Sequence, residues 1–230
     1  MPRTRRSAMV GYTHHILQCG HNHQPVFRRE VDYREYLMEM EELKFRLQVQ
    51  VQGWCLFPER AHLLVSPMRS TRALGEFIKE LAGRHTRHFN ARYQHTGTPW
   101  GGRYRCSLVE PGPWQLACVR YLELLPVYQG LVSAPRQYPW SSYTMRLGGT
   151  DRDWLDRDAH YLSLDRDRIL RRSLYRDYIA QGIDPKEREF IEAAVRRGQL
   201  TGSREFVDKV EALTGQRILF RGPGRPKKNK

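Results

Sequence analysis

The segment FPERAHLLV, from Phe57 to Val65, carries two side chains that could do chemistry, Arg60 and His62. His62 is the odd polar residue in an apolar run entered through Pro58. Strand alternation sends Arg60 and His62 to one face and Glu59 and Ala61 to the other. A histidine in such a run needs a partner. It can ligate a metal or move a proton, although a core-edge histidine hydrogen-bonded to backbone is the commoner case. The third candidate is Tyr121 in WQLACVRYLELL, a phenol that can act as a nucleophile. It lies on a different angular sector from Val119 and Leu122, and an aromatic on a helix is more often core than catalytic.

Positioning these groups takes a sheet and helices. Tyr12 to Gln18 reads as a first strand, closed by the turn-rich GHNHQP. Val31 to Leu47 reads as a helix, because Tyr33, Leu37, Met40, Leu43 and Leu47 recur at helical spacing. Val49 and Val51 alternate with glutamines in a half-buried strand that should form a hairpin with the His62 strand. Ser70 to Tyr93 is a second helix, capped by Ser70 or Thr71 and burying Leu74, Phe77, Ile78 and Leu81. It bears the basic run Lys79, Arg84, His85, Arg87, His88 and Arg92. A loop, Thr96 to Gly102, feeds the strand WGGRYRCSLVE, in which Arg103 and Arg105 would share a face. Pro113 and Trp114 start the Tyr121 helix, which Pro126 should end.

Beyond Gly148 the chain turns charged and helical. Leu170, Leu174, Tyr178 and Ile179 form a short apolar stripe, Asp184-Pro185 opens a helix, and Ser203 caps another that buries Phe206, Val207, Val210 and Leu213. The last two admit a helix-turn-helix among other small bundles. The final RGPGRPKKNK is polar and basic, and its Gly224-Arg225-Pro226 core resembles an AT-hook. The expected division is 1–148, a helical module over 149–220, and a basic tail over 221–230.

With 230 residues and 40% hydrophobic content, the chain can bury one sizeable core, or one core and a small module. A formal net charge of +14, spread along the chain and interleaved with Tyr and Trp, points to a polyanion and to nucleic acid first. Cys19, Cys55, Cys106 and Cys118 form no C-x-x-C pair, which argues against structural zinc. Cys19, His21 and His23 could chelate a metal only opportunistically. No run is long and apolar enough to span a membrane and the start lacks a signal-peptide core, so the expectation is a cytoplasmic protein with no membrane partner.

Several segments, in order, carry a resemblance. Cys55 to Val65 resembles the histidine-hydrophobic-histidine strand of the single-tyrosine DNA transposases, in particular the REP-associated tyrosine transposases. Gly20, Asn22, Gln24 and Pro25 resemble a loop of that family, and Gly102, Arg103, Tyr104 and Arg105 another segment. Tyr121 to Val127 followed by Gly130, Leu131 and Val132 resembles its nucleophile helix, and Tyr138 to Tyr143, YPWSSY, one of its signatures.

The resemblance implies an α/β (α+β) fold: a ferredoxin-like antiparallel sheet with helices on one face, plus the helical C-terminal module and basic tail. It implies single-stranded or hairpin DNA as partner, with A·T-rich duplex a further target of the tail. The implied reaction is attack of a tyrosine hydroxyl on phosphorus, leaving a 5′-phosphotyrosine link and a free 3′-OH. Mg²⁺ or Mn²⁺ would be held by two strand histidines and a polar residue four after the tyrosine. Carried onto this chain, the nucleophile is Tyr121 and the remaining metal ligand His62, with Arg60 catalytic as a stand-in for the metal's charge; the basic residues read as DNA contacts are Arg84, Arg87, Arg103, Arg105, Arg225 and Lys227. The chain departs from the pattern at Arg60, where the first histidine should stand, and at Leu125, where the polar ligand should stand. Those departures imply loss of the metal and a protein that binds DNA without cutting it. The alternatives are an enzyme in which Arg60 replaces the metal's charge, and an RNA-binding ferredoxin-like module, which no RNP motif supports.

Overall fold

In the computed structural model, which describes residues 8–150 and 152–215, strands β1 (His14–Cys19), β2 (Val49–Phe57), β3 (Arg60–Pro67) and β4 (Arg105–Leu108) form one antiparallel sheet. Their order is β2-β3-β1-β4. Helix α1 (Glu30–Leu47) connects β1 to β2, and α2 (Thr71–Tyr93) connects β3 to β4. That is the ferredoxin-like arrangement the motifs implied. Ser70 caps α2 as expected, its hydroxyl accepting from the Ala73 amide.

A β-bulge between Val51 and Gly53 lets β2 bury residues of both parities. Val49 and Val51 before it, and Trp54 and Leu56 after it, all pack with Ile16, Leu63 and Val65 under α1 and α2. Cys55 and Phe57 thereby face the other side with Leu64. Without the extra residue, one half of the strand would turn its apolar side chains the wrong way.

The second face is covered as well. Helix α3 (Pro113–Tyr128) lies over it, followed by the short turns α4 (Tyr143–Arg146) and α5 (Ala159–Leu162), then α6 (Arg168–Ala180), α7 (Pro185–Arg197) and α8 (Arg204–Thr214). Tyr161, Tyr175, Ile179 and Ile191 join the core beneath α3. Trp154 crosses to the first face and stacks on Trp54, ring centroids 4.7 Å apart. Residues after 148 thus continue into both cores. Between α7 and α8, Thr201 pairs with the free edge of β4, its amide donating to the Leu108 carbonyl at 2.9 Å. That pairing covers an edge which would otherwise expose unpaired backbone groups.

Three details differ from the sequence expectation. Helix α3 continues through Pro126 to Tyr128. A proline so close to a helix end removes one hydrogen bond, and the Gln129 amide still closes onto the Leu125 carbonyl. In α6 the inward residues are Tyr175 and Ile179, while Leu170 and Leu174 remain exposed, because Tyr175 is drawn into a buried polar cluster described below. Leu213 on α8 is exposed rather than buried. Among the described residues no helix is long and apolar enough to cross a membrane.

Candidate active site

His62 lies in the middle of β3, opposite Leu17 of β1 and Cys55 of β2. Its partner is a second histidine: His15 Nε2 stands 3.0 Å from His62 Nδ1. Tyr121 packs edge-on against both rings, at 5.8 Å from His15 and 6.3 Å from His62. The strand alternation of Arg60 and His62 holds, and both line one cavity of about 380 Å³ with Tyr121 and Leu125. Leu17, Cys19 and His23 complete its β1 side, and Tyr128 its far end. The Tyr128 hydroxyl accepts from the Ile183 amide at 2.8 Å, which ties α3 to the start of α7.

The remaining wall is α7, which contributes Arg188, Glu192, Val195 and Arg196. Asp184 caps this helix through the Lys186 and Glu187 amides, and Arg120 of α3 grips Glu187 at 2.9 Å. Arg196 and Glu192 pair at 2.8 Å along the helix. Arg105, on the β4 edge opposite Leu17, donates to the Arg196 carbonyl. Sequence reasoning found the helix that opens at Asp184-Pro185 but missed its place in this cavity, and it missed His15.

Burial dominates the electrostatics. It pushes the Tyr121 phenol above its ordinary value, the Glu192 carboxylate adds to the rise, and Arg196 and Arg60 oppose it. It drives His15 down to about 3. His62 falls well below the ordinary imidazole range, first through burial and then through His15, Arg60 and Arg196. Arg60 is paired with Glu59 and sits 4.2 Å over the Phe57 ring. The site is therefore neutral at His15 and His62 and protonated at the phenol.

A divalent metal does not suit this set of side chains. One nitrogen of His62 is engaged by His15, a guanidinium has no lone pair and repels a cation, and Leu125 offers no donor. Glu192 is the one carboxylate among the described lining residues, and Arg196 neutralises it. Mg²⁺ and Mn²⁺ require several oxygen or imidazole donors converging on one point. Among the described residues no group of three or more His, Cys, Asp or Glu could hold a metal ion.

The proposed DNA contacts are scattered. Arg84 is committed to α1, bonding Glu42 twice at 2.9 Å and also Glu39. His88 is held by the buried Asp32 at 3.0 Å. Arg103 and Arg105 do not share a face. The strand begins only at Arg105, after a turn at Gly102 with φ +99, so Arg103 lies toward α2 while Arg105 lies toward α7. Arg225 and Lys227 lie outside the described residues, as does the rest of the AT-hook-like segment.

The buried histidines make stability pH-dependent. His15 and His85 are pushed down to about 3 and about 4, chiefly by burial, against 6.5 in an open chain. Above pH 6.5 both are neutral whether the chain is folded or not. Below it the unfolded chain takes up protons that the fold refuses, so stability falls as pH drops from 6.5 toward 4. Urea unfolding at pH 7.5 and pH 5.5 should differ by ~3 kcal/mol from these two groups. Equal stability at the two values would mean that the rings are not held neutral.

A family model described as "Transposase IS200 like" matches residues 8–123, half of the chain, from before β1 to two residues past Tyr121. Among solved structures, a REP-associated tyrosine transposase bound to a REP hairpin is similar in fold. Its TM-score is 0.53 at 18% identity, covering 68% of this chain and 92% of that one. A transposase candidate from Deinococcus radiodurans R1 also matches at 18% identity with a TM-score of 0.34, over 46% of this chain and 84% of that one, too weak a likeness to argue from. No curated protein matches the chain. Helix α7 lies beyond the part that the family model matches.

Proposed function

The chain belongs to the IS200-like transposase family, and on that premise we propose that it binds single-stranded or hairpin DNA and has lost metal-dependent cleavage. The reading rests on one observation: Tyr121 shares its cavity with Arg60, Leu125 and a His62 already engaged by His15. Burial and Glu192 keep the phenol protonated, and no described side chain in the cavity is an unpaired carboxylate that could take its proton. What remains is basic surface for phosphate: Arg87, Arg103, and the tail with Arg225 and Lys227, suited to an A·T-rich minor groove.

The test uses labelled hairpin DNA with the unmodified protein and Tyr121→Phe, with and without Mg²⁺. Both proteins should bind with similar affinity, and neither should form a denaturant-stable adduct, since Phe keeps the ring's packing and removes only the hydroxyl. Affinity should fall steeply with salt. Deleting Arg221 to Lys230 should reduce the slope of log K against log salt by roughly 0.7 to 0.9 for each phosphate that the tail no longer neutralises. A flat salt response would remove the case for a polyanion.

A second reading is favoured by the position of Arg60, whose charge acts directly on Tyr121. Here the guanidinium holds the scissile phosphate's oxygens and the protein still cuts without metal. A Mg²⁺-independent adduct that needs both Tyr121 and Arg60 would establish it. A Mg²⁺-dependent adduct would overturn both readings.

A further inference from the structure

A second cavity, of about 580 Å³, lies against the opposite face of the sheet, between α2 and the segment that leads into β4. The side of α2 facing it carries the small residues Gly75, Ala82, Gly83 and Thr86 at helical spacing, beside Ile78 and Lys79. A Cβ at Gly75 would meet nothing within 4 Å, and at Gly83 it would meet only the Arg87 guanidinium, at 3.9 Å. The groove is thus held open by the absence of side chains. Its other walls are aromatic, Trp100 and Tyr104. Exposed Lys79 and Arg103 stand at its rim, and neither forms an ion pair among the described residues.

Gln18 points to a ligand. Its side chain lines this cavity and is only 7% exposed, yet its carboxamide makes no hydrogen bond among the described residues. The exposed part of Gln18 opens onto the cavity, so its amide is left to meet whatever enters there. Gln18 also sits between Leu17 and Cys19, which line the Tyr121 cavity from the other side of β1. The two cavities are therefore back to back across one strand, and the segment 101–105 runs along the sheet edge between them.

We infer that the second cavity receives an unpaired nucleobase from the DNA strand that passes around this edge toward Tyr121. A base edge carries adjacent donors and acceptors that a carboxamide pairs with twice, best with adenine. The aromatic walls suit its ring, and the cations on the rim suit the phosphates on either side. This rests on the DNA-binding reading above.

The experiment compares two hairpins that differ only in a single-stranded flank, one intact and one with abasic sites throughout. The full chain should bind the intact flank about tenfold more tightly or better, as expected when one base is taken into a stacked site. Gln18→Leu, which removes the amide, and Gly75→Leu, which fills the groove from an open helical position, should each bring the two affinities within about twofold of each other. They should leave binding of the abasic substrate unchanged. Thermal melts identify a variant that fails to fold, and the other variant then decides. Equal affinity of the unmodified protein for both hairpins, or discrimination that survives in the variants, would overturn the inference. Should no DNA bind at all, titration with deoxynucleoside monophosphates separates the two ideas. Tryptophan quenching that Gln18→Leu abolishes would uphold the pocket while the DNA reading fails, and no quenching would overturn both.

Discussion

Arg146→Leu should lower the unfolding free energy by about 3–5 kcal/mol, the cost of leaving a buried charge without its partner. Arg146 and Glu123 are both 0% exposed, joined at 3.0 Å beneath α3. Glu123 also accepts from the Ser142 hydroxyl and the Tyr175 hydroxyl, each at 2.7 Å. Arg146 in turn donates to the Gln52 carbonyl at the β2 bulge and lies over the rings of Tyr161 and Tyr175. The cluster gives YPWSSY a physical role: Tyr138 donates to the Leu56 carbonyl at 2.7 Å, and Ser142 satisfies Glu123. It also anchors α3, the helix that carries Tyr121. Urea unfolding of Arg146→Leu, Glu123→Leu and the double variant forms a cycle. The double variant should be more stable than the sum of the single losses predicts, by ~1–3 kcal/mol, because two apolar side chains no longer strand a charge. Strict additivity would show that the pair contributes nothing as a pair.

Much of this architecture was legible because it depends on local spacing. The alternation in QVQVQ, the stripe of Leu74, Phe77, Ile78 and Leu81, and the caps Ser70, Asp184 and Ser203 each state their element within a few residues. Arg60, His62, Tyr121 and Leu125 could be grouped only through a family resemblance, and they do share one cavity. What local spacing cannot carry is pairing at a distance. His15 stands beside Ile16 in an unremarkable strand, and only the register of β1 on β3 brings it against His62, 47 residues away. Glu192 and Arg196 look like an ordinary i,i+4 surface pair. Nothing near them in the chain announces that α7 closes the cavity of Tyr121. The Gln52 bulge hid in the same way, since a glutamine-rich alternation gives no sign that its parity changes midway.

The double variant Arg60→His, Leu125→Asn should bind a divalent metal far more tightly than the unmodified protein. The change removes a cation from the cavity and adds an imidazole and a carboxamide oxygen on the walls that already hold His62. Calorimetric titration with Mn²⁺ should show an affinity gain of at least about a hundredfold, ~2.7 kcal/mol. Arg196 still faces this space, and its charge already bears on both His62 and Tyr121. Adding Arg196→Ala should therefore tighten the metal further, whereas His62→Ala should abolish it. His62 has one ring nitrogen engaged by His15, so metal must take the other, and His15→Ala should weaken binding by disordering the ring rather than by removing a ligand. Stoichiometric Mn²⁺ binding by the unmodified protein, lost in His62→Ala, would mean that Glu192 or Cys19 completes a site after all. Failure of the double variant to bind would place the obstacle in α7 and its cations rather than in the two substituted ligands.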